Sequence, residues 1–218
     1  MKVVDLSHSI EPGMPVYPGT EGPRFERANT IERDGFAERL VTMYSHTGTH
    51  MDAPAHIFPG AASLDRLPAG RFAGRAVILD VRSLAGAPGA WPRIGAAAVS
   101  AIVPRLAGAA FLVLRTGWEA RWGEPRYFEG FPTLDEAAAR ALVAVPGLSG
   151  VAVDAISVDP VDSRELPVHR VLLGAGLVIV ENLRSLAEVG TDEFDLACLP
   201  LPLAEADGAP VRAVALLP

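Results

Sequence analysis

Residues 46–56 read His46-Thr47-Gly48-Thr49-His50-Met51-Asp52-Ala53-Pro54-Ala55-His56, which puts three of the chain's five histidines and one carboxylate at offsets 0, 4, 6 and 10. Imidazole and carboxylate at this density are the donors that borderline-soft divalent cations take. The spacing also restricts the backbone. A helix would place His46 and His50 on one face, turn Asp52 away and be broken by Pro54. In an extended strand the even offsets share a face, but at about 3.3 Å per residue His46 and His50 would stand roughly 13 Å apart. Two ligands of one zinc, each bonded at about 2.0–2.1 Å, converge far more tightly. The segment must therefore curve, with Gly48 and Pro54 as its bending points. The competing reading is that these histidines only cap loops or bond backbone carbonyls.

His-Thr-Gly-Thr-His-Met-Asp-Ala-Pro-Ala-His resembles the signature HxGTHxDxPxH of the metal-dependent cyclase family, which includes bacterial kynurenine formamidases, isatin hydrolases and polyketide cyclases. The resemblance extends along the chain. Asp5-Leu6-Ser7-His8 and Met14-Pro15-Val16-Tyr17-Pro18-Gly19 resemble the family's opening, and Val153 to Pro160 and His169 to Asn182 its second half. It implies a swivelling β/β/α fold and a site with His46, His50 and Asp52 on a first metal ion and His169 on a second. Asp52 and Glu181 would be shared between the ions, and His56 would be the general acid and base. Tyr17 falls where kynurenine formamidases carry a substrate-lining Trp, so an aromatic ring is kept but its type differs; a plug onto the core is the other reading. His8 matches the opening without a physical role.

The implied cofactor is one or two divalent ions, zinc first, with manganese suited to the same imidazole and carboxylate donors. A catalytic zinc lowers the pKa of water to about 7 and polarises a carbonyl, and an imidazole of pKa about 6.5 is suited to moving the proton. The expected reaction is hydrolysis of an aryl amide, most like N-formylkynurenine to kynurenine and formate. An isatin-like cyclic amide, a lactone or a polyketide is the alternative substrate. A metal-binding protein without turnover is the alternative class.

The 218 residues suit one domain spanning 1–218, and half of them are apolar, enough for a substantial core. A net charge of −7 argues against a nucleic-acid partner, which needs a basic face. Cys198 is the only cysteine, so no internal disulfide forms, and its apolar neighbours suggest an inert core thiol. No signal-peptide pattern or membrane-length apolar run is visible, so a cytoplasmic chain is expected. A homo-oligomer, dimer or tetramer, is expected from the family and from loop aromatics taken to be exposed: Trp118, Trp122, Tyr127 and Phe128.

Strand signals fall at Lys2–Ile10, Glu38–Ser45 (delivering His46), Ala76–Val81, Phe111–Arg115, Gly150–Ile156, Leu177–Val180, Phe194–Leu201 and Val211–Leu217. Helix signals fall at Ile94–Val103, at Leu134–Val145 behind a Thr133-x-x-Glu136 capping box, and at His169–Ala175. Asp159, Asp162 and Glu165 read as solvated or capping acids, with a ligand role the alternative. The mixture predicts a β-rich α/β domain with helices packed on its sheets.

Overall fold

The computed structural model describes residues 1–84 and 90–218. The first half carries β1 (Lys2–Asp5), β2 (Arg24–Asn29), the one-turn helix α1 (Ile31–Asp34), β3 (Glu38–Thr42), β4 (His50–Asp52), β5 (Ala73–Asp80), β6 (Arg93–Ile94) and α2 (Ala96–Ile102). The second half carries β7 (Phe111–Arg115), β8 (Thr133–Leu134), α3 (Glu136–Val143), β9 (Gly150–Val153), α4 (Pro167–Gly174) and β10 (Val178–Glu181). It closes with β11 (Glu193–Ala197), β12 (Gly208–Pro210) and β13 (Val214–Leu217).

Nine strands form one sheet in the order β1-β13-β11-β5-β7-β9-β10-β4-β12. Its centre, β5-β7-β9-β10, is parallel, and the strands on either side are antiparallel. Runs such as Phe111-Leu112-Val113-Leu114 and Val178-Ile179-Val180 are apolar at every position because both faces of the parallel centre are covered. On one face α2, α3 and α4 pack with Trp118, Tyr127 and Phe131; on the other Leu6, Met51, Phe72, Phe111 and Ala209 share a second core.

The sheet cannot be flat. β12 and β13 stand seven strand steps apart in the order, about 34 Å in a flat sheet at roughly 4.8 Å per step. Yet Pro210 and Val214, which end one and begin the other, are four residues apart, a reach of about 14 Å. The sheet therefore curls until its ends nearly meet. Ser7 bridges Leu183, Arg184 N donates to Leu6 O at 3.0 Å and His8 N donates to Thr49 Oγ1 at 2.9 Å across the seam. The architecture is mixed α/β with a strongly curled sheet.

Several local readings need correction. β3 ends at Thr42, pairs only with β2 and is exposed at every residue, so His46 is delivered by the turn that follows rather than by a core strand. β propensity had signalled extended backbone, not burial. The cap of α3 is Asp135, whose Oδ1 accepts Ala138 N–H at 2.7 Å; Thr133 is buried in β8. α2 starts at Ala96 because Ile94 is held in β6 opposite Leu134. β5 starts at Ala73, earlier than expected, through its pairing with β11. Trp118 and Tyr127 are 1% and 0% exposed, so they cover the core and do not support association. Cys198 needs no such correction: it is buried, its thiol bonded to Phe72 O and pushed up to about 12 by burial.

Candidate metal centre

β4 lies between β10 and β12, with Glu181 and Pro210 opposite His50, and Ile179 and Gly208 opposite Asp52. Strand alternation sends His50 and Asp52 to one face and Met51, fully buried, into the second core. The entry to β4 bends as the spacing required. Gly48 adopts φ +67°, the left-handed region, and the turn before it brings His46 back until its ring centroid is 5.1 Å from that of His50. Pro54 opens a 3-10 turn ending at His56, whose ring stands 4.1 Å from that of His46. His169 arrives from the first turn of α4.

The side chains converge. His46 Nδ1 is 2.7 Å and His50 Nε2 3.3 Å from Asp52 Oδ1; His50 Nε2 is 3.5 Å from Glu181 Oε2. His169 Nε2 is 3.4 Å from Glu181 Oε1 and 3.7 Å from Asp52 Oδ2. Three sets able to hold a metal ion result among the described residues, His46-His50-Asp52, Asp52-His169-Glu181 and the less buried His46-His56-Asp207, each with one donor atom per residue within 4.8 Å of the others; Asp52 belongs to the first two. All six sequence-predicted polar residues are thus brought together, counting His56 beside His46.

The outward nitrogen of each ring is also tied down. His50 Nδ1 faces Gly48 O at 2.8 Å; a carbonyl only accepts, so Nδ1 carries the hydrogen and Nε2 faces the carboxylates. Asn182 Nδ2 donates to the same carbonyl at 2.8 Å, and Tyr127 OH donates to Asn182 Oδ1 at 2.7 Å. His169 Nδ1 is 2.7 Å from Asp159 Oδ2. His46 Nε2 is 2.9 Å from Asp207 Oδ2. One nitrogen held outside and one presented inside is the arrangement that orients imidazole ligands of metals, and the donor set fits a divalent cation on that chemistry.

Without a cation the carboxylates act on the imidazoles instead. Burial opposes protonation of His46, but Asp52 and Asp207 outweigh it and raise its pKa to about 10. For His169, burial is outweighed by Asp159 and Glu181, again to about 10. Burial works against ionisation of Asp52, yet His46 and His50 hold it well below the usual carboxylate range. His56 goes the other way. Burial first, then the charges of His46 and His169, keep its pKa below the ordinary imidazole value against the pull of Asp52 and Asp207.

His46, His50, Asp52, His56, His169 and Glu181 line a cavity of about 300 Å³ together with Tyr17, Thr20, Ile156, Ser157, Ser163 and Leu166. Tyr17 is on the wall, its hydroxyl donating to Val161 O at 3.0 Å. A larger groove of about 670 Å³ between α3 and α4 has no histidine in its lining. His8 lies outside the cavity lining, stacked on Trp122 at 3.7 Å and held neutral by burial, with a pKa of about 4. Sequence reasoning missed Asp207, 161 residues from His46, and gave Asp159 no part in the site. Asp159 is fully buried and bonds His169 through backbone and ring. The Asp159-to-His169 spacing, one carboxylate ten residues before a histidine at a helix start, was the available signal.

Residues 4–160 match the Cyclase family. The chain belongs to that family. A kynurenine formamidase from Salinibacter ruber is 34% identical over 217 residues, covering 98% of this chain and 97% of that one. Among solved structures this family member superposes on isatin hydrolase A from Labrenzia aggregata with a TM-score of 0.85 at 24% identity, over 98% and 93% of the two chains. A structure described as a predicted metal-dependent hydrolase from Bacillus stearothermophilus matches at TM-score 0.77 and 27% identity, over 98% and 97%. Among the described residues no helix is long and apolar enough to cross a membrane.

Proposed function

We propose that this cyclase-family chain is a divalent-metal-dependent hydrolase of a small aryl amide, with N-formylkynurenine the first substrate to test. The observation that carries the reading is the pair of buried donor sets sharing Asp52, with His56 beside them on the wall of a cavity of about 300 Å³. That volume is at the small end of ligand sites. The kynurenine formamidase of Salinibacter ruber, alike over nearly the whole length, supports the amide class.

His46, His50 and Asp52 would hold one ion and His169 a second, with Asp52 and Glu181 between them. When bound, a zinc or manganese ion there supplies a Lewis acid that polarises the carbonyl and makes water nucleophilic at neutral pH. His56, kept neutral by its surroundings, accepts the proton of the attacking water and returns it to the leaving nitrogen. Tyr17, its hydroxyl committed to Val161 O, offers the ring face to an aryl group. The expected partner is therefore a small molecule. The experiment is turnover of N-formylkynurenine by protein reconstituted with zinc or manganese, with formate measured and isatin and an aryl lactone run beside it. Metal uptake with no product from any of them would leave a non-catalytic metal-binding protein.

We also infer self-association, as a dimer or tetramer, through the β2–β3 hairpin. Ile31, Phe36, Leu40, Val41 and Tyr44 on and beside it are exposed, and a two-stranded hairpin alone is marginal in water. A second copy of the chain is the occupant that would cover it.

A further inference from the structure

Asp207 faces two histidines at once. Its Oδ2 lies 2.9 Å from His46 Nε2 and 3.3 Å from His56 Nδ1, while its Oδ1 accepts the Ser45 hydroxyl at 3.0 Å. The backbone puts it there: β12 pairs with β4 in the register Gly208↔Asp52, and Asp207 O accepts Ala53 N–H at 2.8 Å. The close approach depends on Gly208, since a Cβ at that position would sit 2.5 Å from His46 Cε1. A three-residue edge strand thus delivers one carboxylate to the two rings that the proposed chemistry treats differently.

We propose that Asp207 is a positioning residue that orients both imidazoles, turning His46 Nδ1 toward Asp52 and committing His56 Nδ1–H to the carboxylate. His56 Nε2 is then the nitrogen left to exchange protons with water or substrate. The inference rests on the reading of His56 as the acid–base group. A carboxylate ionised at neutral pH only accepts hydrogen bonds, so the nitrogen beside it on each ring carries the hydrogen. In the neutral ring of His56 the other nitrogen is the acceptor. His46 has a carboxylate at each nitrogen, so both carry hydrogen in the metal-free chain; Asp207 would keep the outer Nε2–H while a cation displaced the hydrogen of the inner Nδ1 that faces Asp52. Because one oxygen serves both rings, whose centroids are 4.1 Å apart, loss of Asp207 releases the two together.

The test needs no knowledge of the substrate for its first two readouts. In metal-free wild-type protein, ¹⁵N spectra of labelled histidine should show His56 hydrogenated at Nδ1; hydrogen at Nε2 would overturn the proposal without any variant being made. Asp207→Ala should shift His56 toward the Nε2–H form and lower zinc affinity, measured by chelator competition, about 10- to 100-fold. At saturating zinc its kcat on the amide found active should fall by a similar factor with KM little changed, and Asp207→Asn, which keeps an acceptor oxygen of the same shape, should recover part of it. Unchanged zinc affinity and kcat would refute the assignment. His46, His56 and Asp207 are close enough to hold a cation themselves. Loss of one zinc equivalent in both Asp207→Ala and His56→Ala would make Asp207 a ligand and overturn the positioning role. If the amide reading fails, the spectra and the zinc affinity still decide this one.

Discussion

Asp159 Oδ2 sits 2.7 Å from His169 Nδ1, and the same carboxylate accepts the backbone N–H groups of Val168 and His169 at the start of α4. One buried acid thus fixes both the helix and the ring it carries. Asp159→Asn should therefore weaken metal binding about 10- to 100-fold, as outer partners of ligating histidines do. Asp159→Ala, which strands buried donors, should also cost about 1–3 kcal/mol of stability. Chelator competition and denaturant unfolding read the two effects separately, and a variant with native metal affinity would detach Asp159 from the site.

His50 and His56 lie four and ten residues after His46, yet their losses should differ in kind. His56→Ala is expected to keep near-normal metal content and lose about 10²- to 10⁴-fold in turnover, the usual share of acid–base catalysis. His50→Ala should lose metal and activity together. Metal analysis of purified His56→Ala decides the matter: protein that emerges without metal makes His56 a ligand.

Metal uptake should release protons. His46 and His169 stand at about 10 in the metal-free chain, so at neutral pH both carry a proton that a cation must displace, and affinity should rise with pH toward 10. The same shifts bear on stability. Both are raised above the unfolded value of about 6.5, so their contribution is complete below pH 6.5 and disappears as pH climbs through 10. Metal-free protein should thus lose melting temperature between pH 7 and 10, and zinc should flatten that loss. Calorimetry in buffers of different ionisation enthalpy would count the protons; none released would show the rings already neutral.

Gly208→Ala places a methyl 2.5 Å from His46 Cε1, on a ring pinned between Asp52 and Asp207. Ring or strand must move, so a cost of about 1–3 kcal/mol is expected together with weaker metal binding. Thermal unfolding with and without zinc measures both. An unchanged protein would mean that β12 yields freely.

Self-association should appear in light scattering as a mass that is a multiple of 22.9 kDa, and Leu40→Glu on the exposed strand β3 should return it to one chain. A single-chain mass for the unaltered protein removes the hairpin's proposed partner.

The first segment of the site was legible because its chemistry is local: His46, His50, Asp52 and His56 fall within eleven residues, and the need to converge foretold a bend that Gly48 makes. The buried strands at Phe111–Arg115 and around Ile179 were legible as apolar runs. His169 and Glu181 were reached only through resemblance, since nothing in their spacing says which strand they would face. Asp207 was out of reach for a sharper reason. It stands in the bend just before the short edge strand β12, and only that strand's pairing with β4 gives it meaning. The capping box at Thr133 failed because Asp135, two residues on, offers a better-placed oxygen. The exposure of β3 was hidden because its residues read the same whether a sheet covers them or not.

The pairing of β4 sets a timetable for synthesis. Its neighbours β10 and β12 begin at residues 178 and 208, so a growing chain displays His46 to His56 long before anything can flank them. At about 5–20 residues per second, the interval from His50 to Pro210 is roughly 8 to 30 s. For nearly all of it the first donor set lacks Asp207, and for most of it the strand that carries Glu181. A cation met in that window finds flexible, competing ligands rather than a built site, so the choice of metal falls to the finished chain.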